Sequence, residues 1–90
     1  MGMNEMELQR AVFFKQIGGK IAYYRSIIGM QQQELAQKAY INQSTLSRIE
    51  HGNYNKTLSL SLVLDIAEGL GIDPALLLTF NEDEKKMWWK

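Results

Sequence analysis

The chain is predicted to fold as an all-α domain of five helices, an expectation that rests on three observations. Apolar residues recur at intervals of three and four along several segments, which is the period of an α-helix. No segment of useful length alternates between apolar and polar residues in the manner of a β-strand. The stretch from residue 31 to residue 52 reads as two short amphipathic helices joined by a tight turn.

The first helix is expected from about Glu7 to Ile28. Its apolar positions step by four and three: Phe13, Ile17, Ile21, Tyr24 and Ile28. Gly18 and Gly19 each weaken a helix by roughly 1 kcal/mol relative to Ala, so a local bend or close packing is expected there. Gly29 is placed to end the helix.

The second and third helices form the central pair. The second is expected over about residues 31–39 and the third from the N-cap Asn42 to His51, ending at Gly52. Apolar residues form one face of each helix: Leu35, Ala36 and Ala39 on the second, and Leu46 and Ile49 on the third. Ile41 lies in the connection between them.

Two further helices and a tail complete the chain. Ser59 is a suitable cap for a fourth helix that ends near Gly71. Asp73 caps a short fifth helix with Pro74 in its first turn, and Leu76, Leu77 and Phe80 are assigned to this helix. Three segments are therefore expected: an N-terminal extension of the first helix over residues 1–14, the main domain over 15–80, and a charged and aromatic tail over 81–90.

Composition excludes several classes of protein. Ninety residues with 46% apolar content make one domain with a small core. The chain has no cysteine and one histidine, which argues against a disulfide framework, a zinc site or any metal centre. No catalytic set or phosphate-binding glycine loop is present, so an enzyme and a cofactor are not expected. No apolar run approaches the roughly 18 residues of a membrane span, and a cytoplasmic protein without membrane contact is the default expectation.

The formal net charge is zero, but the charge is unevenly distributed. Residues 15–56 carry six basic and two acidic side chains, a net charge of +4. Residues 57–90 carry three basic and six acidic side chains, a net charge of −3. The positive excess therefore surrounds the central helical pair, which is compatible with moderate electrostatic attraction to a nucleic acid.

The outer face of the third helix consists of polar side chains suited to hydrogen bonding: Gln43, Ser44, Ser47 and Arg48. A glutamine can pair with adenine and an arginine with guanine, each through two hydrogen bonds. Taken alone, these four residues favour an ordinary solvated helix face over a base-reading one. Two helices packed through small residues, with the second displaying such a face, match the helix-turn-helix arrangement for the DNA major groove.

Anchor residues at fixed spacing extend this pattern across the chain: Ile17-Gly18, Arg25, Gly29-Met30, Gln32, Leu35-Ala36, Ala39, Ile41, Leu46-Ser47-Arg48-Ile49-Glu50, Gly52, Ile66-Ala67 and Leu70-Gly71. Over roughly residues 15–80 the sequence resembles the Cro/C1-type (XRE) helix-turn-helix family. The resemblance implies a compact five-helix, lambda-repressor-like DNA-binding domain, with the helix-turn-helix at helices 2 and 3. Members usually bind DNA as dimers.

The resemblance also suggests roles for individual residues. It implies base contacts from the first and middle positions of the recognition helix, about residues 42–51, which here are Gln43, Ser44, Ser47 and Arg48. The expected phosphate contacts are Gln32, Lys38, Thr45, Asn53, Tyr54 and Lys56; Thr45 is equally compatible with a base contact. Gln32 also matches a residue that supports the third helix. Arg25 and Glu50 match a structural ion pair that ties the first helix to the third.

Two features depart from the family pattern. The turn position often occupied by glycine is Tyr40, and a positive φ there costs a non-glycine residue on the order of 1 kcal/mol. Either the turn differs or Tyr40 tolerates the strain and exposes its ring. The loop from Asn53 to Thr57 is about two residues longer than the common form of the family.

Two aromatic pairs are candidate dimer contacts: Phe13 with Phe14, and Trp88 with Trp89. Adjacent helical residues point about 100° apart, so one phenylalanine is expected to stay exposed and to favour a partner surface. The tail tryptophans have three alternatives: contact with a partner subunit, cover for the domain's own core, or no fixed position.

The sequence therefore predicts a small homodimeric transcriptional regulator that binds a roughly palindromic double-stranded operator. Repression is favoured and activation remains open. One alternative is a DNA-binding antitoxin whose tail contacts a toxin, and another is a protein-interaction module that has lost DNA binding. The zero net charge keeps the second alternative in consideration.

Overall fold

The computed structural model describes residues 4–88, and all regular secondary structure in this range is α-helical. Six helices follow one another: α1 Glu5–Ile28, α2 Gln32–Lys38, α3 Gln43–His51, α4 Leu60–Leu70, α5 Ala75–Leu78 and α6 Glu82–Lys86. The predicted all-α class and the predicted order of the first five helices are confirmed. The sixth helix lies in the segment that the sequence indicated only as a tail.

Side-chain caps and left-handed glycines set the ends of the helices. The Asn4 side chain accepts a hydrogen bond from the Glu7 backbone N–H at 2.8 Å, so α1 begins two residues before the predicted start. Gly29 ends α1 with φ 79°, and Gly52 ends α3 with φ 74°. Asn42 caps α3 by accepting from the Thr45 N–H, as the sequence predicted.

The core forms where the predicted apolar faces of the helices meet. Its buried members are Ile17, Ile21, Leu35, Ala36, Ala39, Leu46, Ile49, Leu58, Val63, Ile66, Ala67, Leu70 and Leu77. The faces expected on α2 and α3 are therefore buried in full. Ile28, the last apolar position assigned to α1, is instead 45% exposed.

Close packing of helices accounts for the first glycine of the pair in α1. A Cβ added to Gly18 would overlap the Ile49 carbonyl oxygen, whereas one added to Gly19 would meet nothing within 4 Å. Because Gly18 has no side chain, the backbone of α3 can lie directly against α1. Of the two explanations expected from the sequence, close packing applies at Gly18.

The turn between α2 and α3 keeps the common geometry despite its tyrosine. Tyr40 has φ +61°, in the left-handed region, and its side chain is 87% exposed. The chain therefore adopts the second of the two alternatives, in which tyrosine tolerates the strain and leaves its ring at the surface.

The C-terminal part differs most from the expectation. Helix α5 ends at Leu78, so Phe80, which was assigned to it, lies beyond its end. Asn81 and Glu84 form a reciprocal capping box that starts α6. This helix returns to α1, where Lys20 Nζ lies 2.8 Å from a Glu84 carboxylate oxygen and the Gln16 amide donates to the Glu84 carbonyl at 2.9 Å.

Candidate nucleic-acid interface

Helix α3 presents the predicted polar face on the surface of the domain. Gln43, Ser44 and Arg48 are exposed and Ser47 is half-buried, while Leu46 on the opposite side is fully buried. The spacing of four residues between Gln43 and Ser47, and between Ser44 and Arg48, places these side chains on one side of the helix. The structure thus brings the four candidate base contacts together.

The orientation of α3 depends on a nearly buried carboxylate near its C-terminal end. The Glu50 side chain is 3% exposed and receives hydrogen bonds from two other helices. Arg25 donates from Nε to one carboxylate oxygen at 2.7 Å and from Nη2 to the other at 2.9 Å. Gln32 donates from Nε2 at 3.0 Å. Three helices, α1, α2 and α3, therefore meet at one charged group.

Arg25 is fully engaged in this arrangement. Its hydrogen bond to Glu50 raises the pKa of the guanidinium above its ordinary value, against the opposing effect of burial. Arg25 Nη1 also donates to the Met30 carbonyl at 2.9 Å, just beyond the end of α1. These contacts hold the segment between α1 and α2 in place. The role of Arg25 is therefore structural.

The end of α3 carries the single histidine of the chain. His51 is exposed, and its Nδ1 donates to the Ser47 carbonyl oxygen at 2.7 Å. This bond holds the ring along the helix, on the continuation of the polar face by one turn. The Ser44 hydroxyl is likewise oriented, because it donates to the Asn42 side chain at 2.9 Å.

The candidate phosphate contacts fall into two groups. Lys38, Asn53 and Lys56 are exposed, and Gln32, Thr45 and Tyr54 are half-buried. Tyr54 packs against the core cluster, so part of its ring supports the loop after α3. The Asn53 backbone N–H donates to the Arg48 carbonyl at 2.8 Å, which attaches the start of that loop to α3.

Lys15 was not singled out in the sequence, although the structure places it beside the end of α3. Its aliphatic carbons lie against Gly52, the left-handed residue that ends the helix. Lys15 is exposed, so its charge lies at the surface near the end of α3. Lys15 lies three residues before Gly18, on the side of α1 that meets α3, but only the packing of the two helices reveals this proximity.

The described members of the two aromatic pairs pack mainly against other parts of the same chain. The Phe13 ring lies 4.7 Å from the Phe80 ring and 5.3 Å from the Trp88 ring, measured between centroids. Trp88 Nε1 donates to the Gln16 side-chain oxygen at 2.8 Å. Phe14 is half-buried against the core, so neither phenylalanine is left fully exposed. Among the three alternatives Trp88 covers its own domain, whereas Trp89 lies outside the described residues.

Other kinds of site find no support in the described part of the chain. Among residues 4–88 there is no cluster of three or more histidine, cysteine, aspartate or glutamate side chains that could hold a metal ion. In the same range, none of the helices is both long and apolar enough to cross a membrane.

The fold and the polar face of α3 together define a helix-turn-helix domain. The sequence matches the model of the helix-turn-helix family over residues 21–77, which is more than half of the chain. The chain therefore belongs to this family, in its XRE-type branch of DNA-binding proteins that act in transcriptional regulation.

Individual relatives agree with this assignment. An uncharacterized HTH-type transcriptional regulator of Methanocaldococcus jannaschii is 32% identical over 65 residues, which is 72% of this chain and 96% of the relative. The restriction-modification controller protein C.AhdI of Aeromonas hydrophila has a similar structure, with a TM-score of 0.65, 26% identity, and coverage of 71% of this chain and 94% of that one. For the clp gene regulator ClgR of Corynebacterium glutamicum the TM-score is 0.69, with 25% identity over 83% of this chain and 76% of ClgR.

Proposed function

We propose that the chain is a homodimeric, sequence-specific regulator that inserts α3 into the major groove of double-stranded DNA. The observation that carries this proposal is the exposed polar face of α3 on a helix whose orientation is fixed at Glu50. In this proposal Gln43 and Arg48 read base edges through paired hydrogen bonds, and Ser44 and Ser47 add single ones.

Phosphate contacts would flank the recognition helix on both sides. On one side, the phosphates would be contacted by Gln32 and Lys38 of α2 and by Thr45 near the start of α3. Asn53, Tyr54, Lys56 and the newly identified Lys15 serve the other side. Contacts of this kind set the position of the protein on the duplex, and the positively charged ones add a salt-dependent affinity.

Dimerisation is proposed because a single α3 reads too few base pairs for a specific site. A two-fold dimer would read two half-sites about one helical turn apart, and occlusion of the polymerase would then repress transcription. Activation is the alternative outcome. Phe14, and the surface of Phe13 and Trp88 that remains accessible, are retained as candidate dimer contacts, together with Trp89.

Binding to DNA of mixed sequence at varied salt tests the central claim. The affinity is expected to fall steeply as salt rises, with the slope set by the number of phosphates neutralised. No binding at low salt would contradict the proposal and favour a protein-interaction module instead. Lys15→Ala is expected to reduce the slope by about one unit, whereas Lys86→Ala, which removes an exposed lysine of α6, leaves it unchanged.

The recognition face is tested with an operator selected from random DNA. Gln43→Ala and Arg48→Ala are each expected to lose roughly 1–3 kcal/mol of discrimination at one base position. Both variants remain folded, because the two side chains are exposed. If the double variant keeps the selectivity of the original chain, the assignment of α3 as the reading helix is wrong.

A further inference from the structure

Tyr40 combines two features that the fold does not require. It lies in the turn between α2 and α3 with φ +61°, and it is the one non-glycine residue with positive φ among residues 4–88. This conformation brings Cβ close to the neighbouring carbonyl oxygen, which disfavours every residue except glycine. The chain therefore keeps a side chain at a position where its absence would relieve strain.

The ring of Tyr40 does not contribute to the packing of the domain. It is 87% exposed, whereas Tyr24 and Tyr54 pack against the core and Tyr23 stacks edge-to-face on Tyr24. The turn itself is closed by backbone hydrogen bonds only. The Tyr40 N–H donates to the Gln37 carbonyl at 3.3 Å, and the Ile41 N–H donates to the Ala36 carbonyl at 3.0 Å. Any residue able to adopt the turn would form them.

In the sequence, Tyr40 lies between two residues that are proposed to face DNA. Lys38, exposed at the end of α2, precedes it by two residues, and Gln43, the first residue of the reading face, follows it by three. A local strain with no structural benefit, next to a binding face, points to a role in binding.

We propose that Tyr40 is a DNA contact, its phenolic hydroxyl donating a hydrogen bond to a backbone phosphate beside the groove that α3 enters. This inference rests on the proposed DNA binding and deepens it. A neutral donor holds the N-terminal end of α3 in register without adding positive charge. Such a contact suits a chain whose formal net charge is zero.

Binding of the full chain to mixed-sequence DNA, with melting of each variant, tests the proposal. Tyr40→Phe and Tyr40→Gly are both expected to bind about tenfold more weakly, because each loses a hydrogen bond to a charged group. Tyr40→Gly is expected to melt no lower than the original chain, since relief of strain offsets the greater freedom of glycine in the unfolded state. The slope of affinity against salt stays unchanged in both variants, in contrast to Lys38→Ala, which lowers it by about one unit.

Tyr23→Phe is the matched control, because it removes the hydroxyl of another exposed tyrosine, on α1, and is expected to bind as the original chain does. Unchanged binding by Tyr40→Phe overturns the hydroxyl contact, and unchanged binding by Tyr40→Gly overturns any contact from this side chain. Failure of the original chain to bind DNA at low salt is a separate result, since it refutes the proposed function before a variant is compared.

Discussion

At the scale of single residues, Glu50 governs the placement of α3. Its carboxylate is almost fully buried and accepts three hydrogen bonds from Arg25 and Gln32. A buried charge is stable only when it is paired and hydrogen-bonded, so the three helices that supply these groups are held in one mutual arrangement. Gln32 therefore supports α3 through its hydrogen bond to Glu50. This structural role is independent of the proposed phosphate contact.

Removal of this carboxylate should weaken the fold strongly. In Glu50→Ala the Arg25 guanidinium, of which 20% of the side chain is exposed, loses its charged partner. We expect the free energy of unfolding in urea to fall by about 3 kcal/mol, at the lower end for a broken buried pair because Arg25 retains some contact with water. The control is Glu82→Ala, which removes an exposed pair with Lys85 and should change stability by less than about 0.5 kcal/mol. Equal effects of the two substitutions would contradict the structural role of Glu50.

At the scale of helices, α1 and α3 depend on one glycine for their contact. Gly18 faces the Ile49 carbonyl oxygen, so the two backbones lie closer than any side chain between them would permit. Gly19 occupies the neighbouring position in the same helix and faces open space. A side chain would therefore be unfavourable at Gly18 and tolerated at Gly19, although the two glycines look equivalent in the sequence.

Alanine substitutions at the two positions should shift stability in opposite directions. Gly18→Ala is expected to destabilise by about 2–3 kcal/mol, because α1 and α3 must separate to accept the methyl group. Gly19→Ala is expected to stabilise by up to about 1 kcal/mol through the higher helix propensity of alanine. Thermal and urea unfolding of both variants provide the measurement. A Gly18→Ala chain as stable as Gly19→Ala would show that the close approach of α1 to α3 is incorrect.

The attachment of α6 to α1 is a second feature at the scale of helices. Glu84 accepts hydrogen bonds from the Lys20 ammonium and from the Asn81 backbone N–H, and these bonds hold the pKa of its carboxyl below the ordinary value of 4.5. The folded chain thus binds a proton at Glu84 less readily than the unfolded chain does. The stabilisation by this carboxylate is complete above pH 4.5 and is lost as the pH falls through the folded-state pKa.

The pH dependence of this attachment is measurable by comparison with Glu84→Gln. The original chain should be the more stable of the two near neutral pH, and the difference should shrink as the pH falls below about 4.5. Lys20→Met should reduce the difference, because Lys20 supplies the main cause of the lowered pKa. A difference that stays constant from neutral pH to pH 3 would contradict the Lys20–Glu84 pair.

At the scale of the whole molecule, the charge along the chain agrees with the placement of the proposed site. The segment from residue 15 to residue 56, with its net charge of +4, contains α2, α3 and the loop after α3. The acidic excess lies in the segment that includes α4, α5 and α6. A basic segment in a chain with no net charge is compatible with attraction to DNA, and the acidic segment would limit non-specific affinity.

A two-fold symmetric dimer of such domains should prefer DNA sequences with matching two-fold symmetry. Sequences selected from a random library are expected to contain two inverted half-sites about one helical turn apart. Insertion of half a helical turn between them should reduce affinity to that of a single half-site, because the second α3 would then face away from its groove. Selection of one isolated, asymmetric half-site would count against the homodimer.

The sequence alone determined most of the secondary structure and the faces of its helices. Apolar spacing, the caps at Asn42 and Ser59 and the glycines at helix ends act within a few residues, so they can be read along the chain. The same local signal, asparagine followed three residues later by glutamate, starts both α1 and α6. It was present in the sequence at Asn4 and Asn81 and would have predicted both starts.

The tertiary structure alone decided which residues distant in the sequence meet. Gly18 lies against Ile49, Lys15 lies against Gly52, and Trp88 bonds to Gln16 across 72 positions of the chain. These contacts depend on how the helices pack against one another, and neither periodicity nor capping specifies that packing. The sequence therefore defined the polar face of α3, whereas the contacts of Glu50, Gly18 and Lys15 with other helices decided how that face is held and what surrounds it.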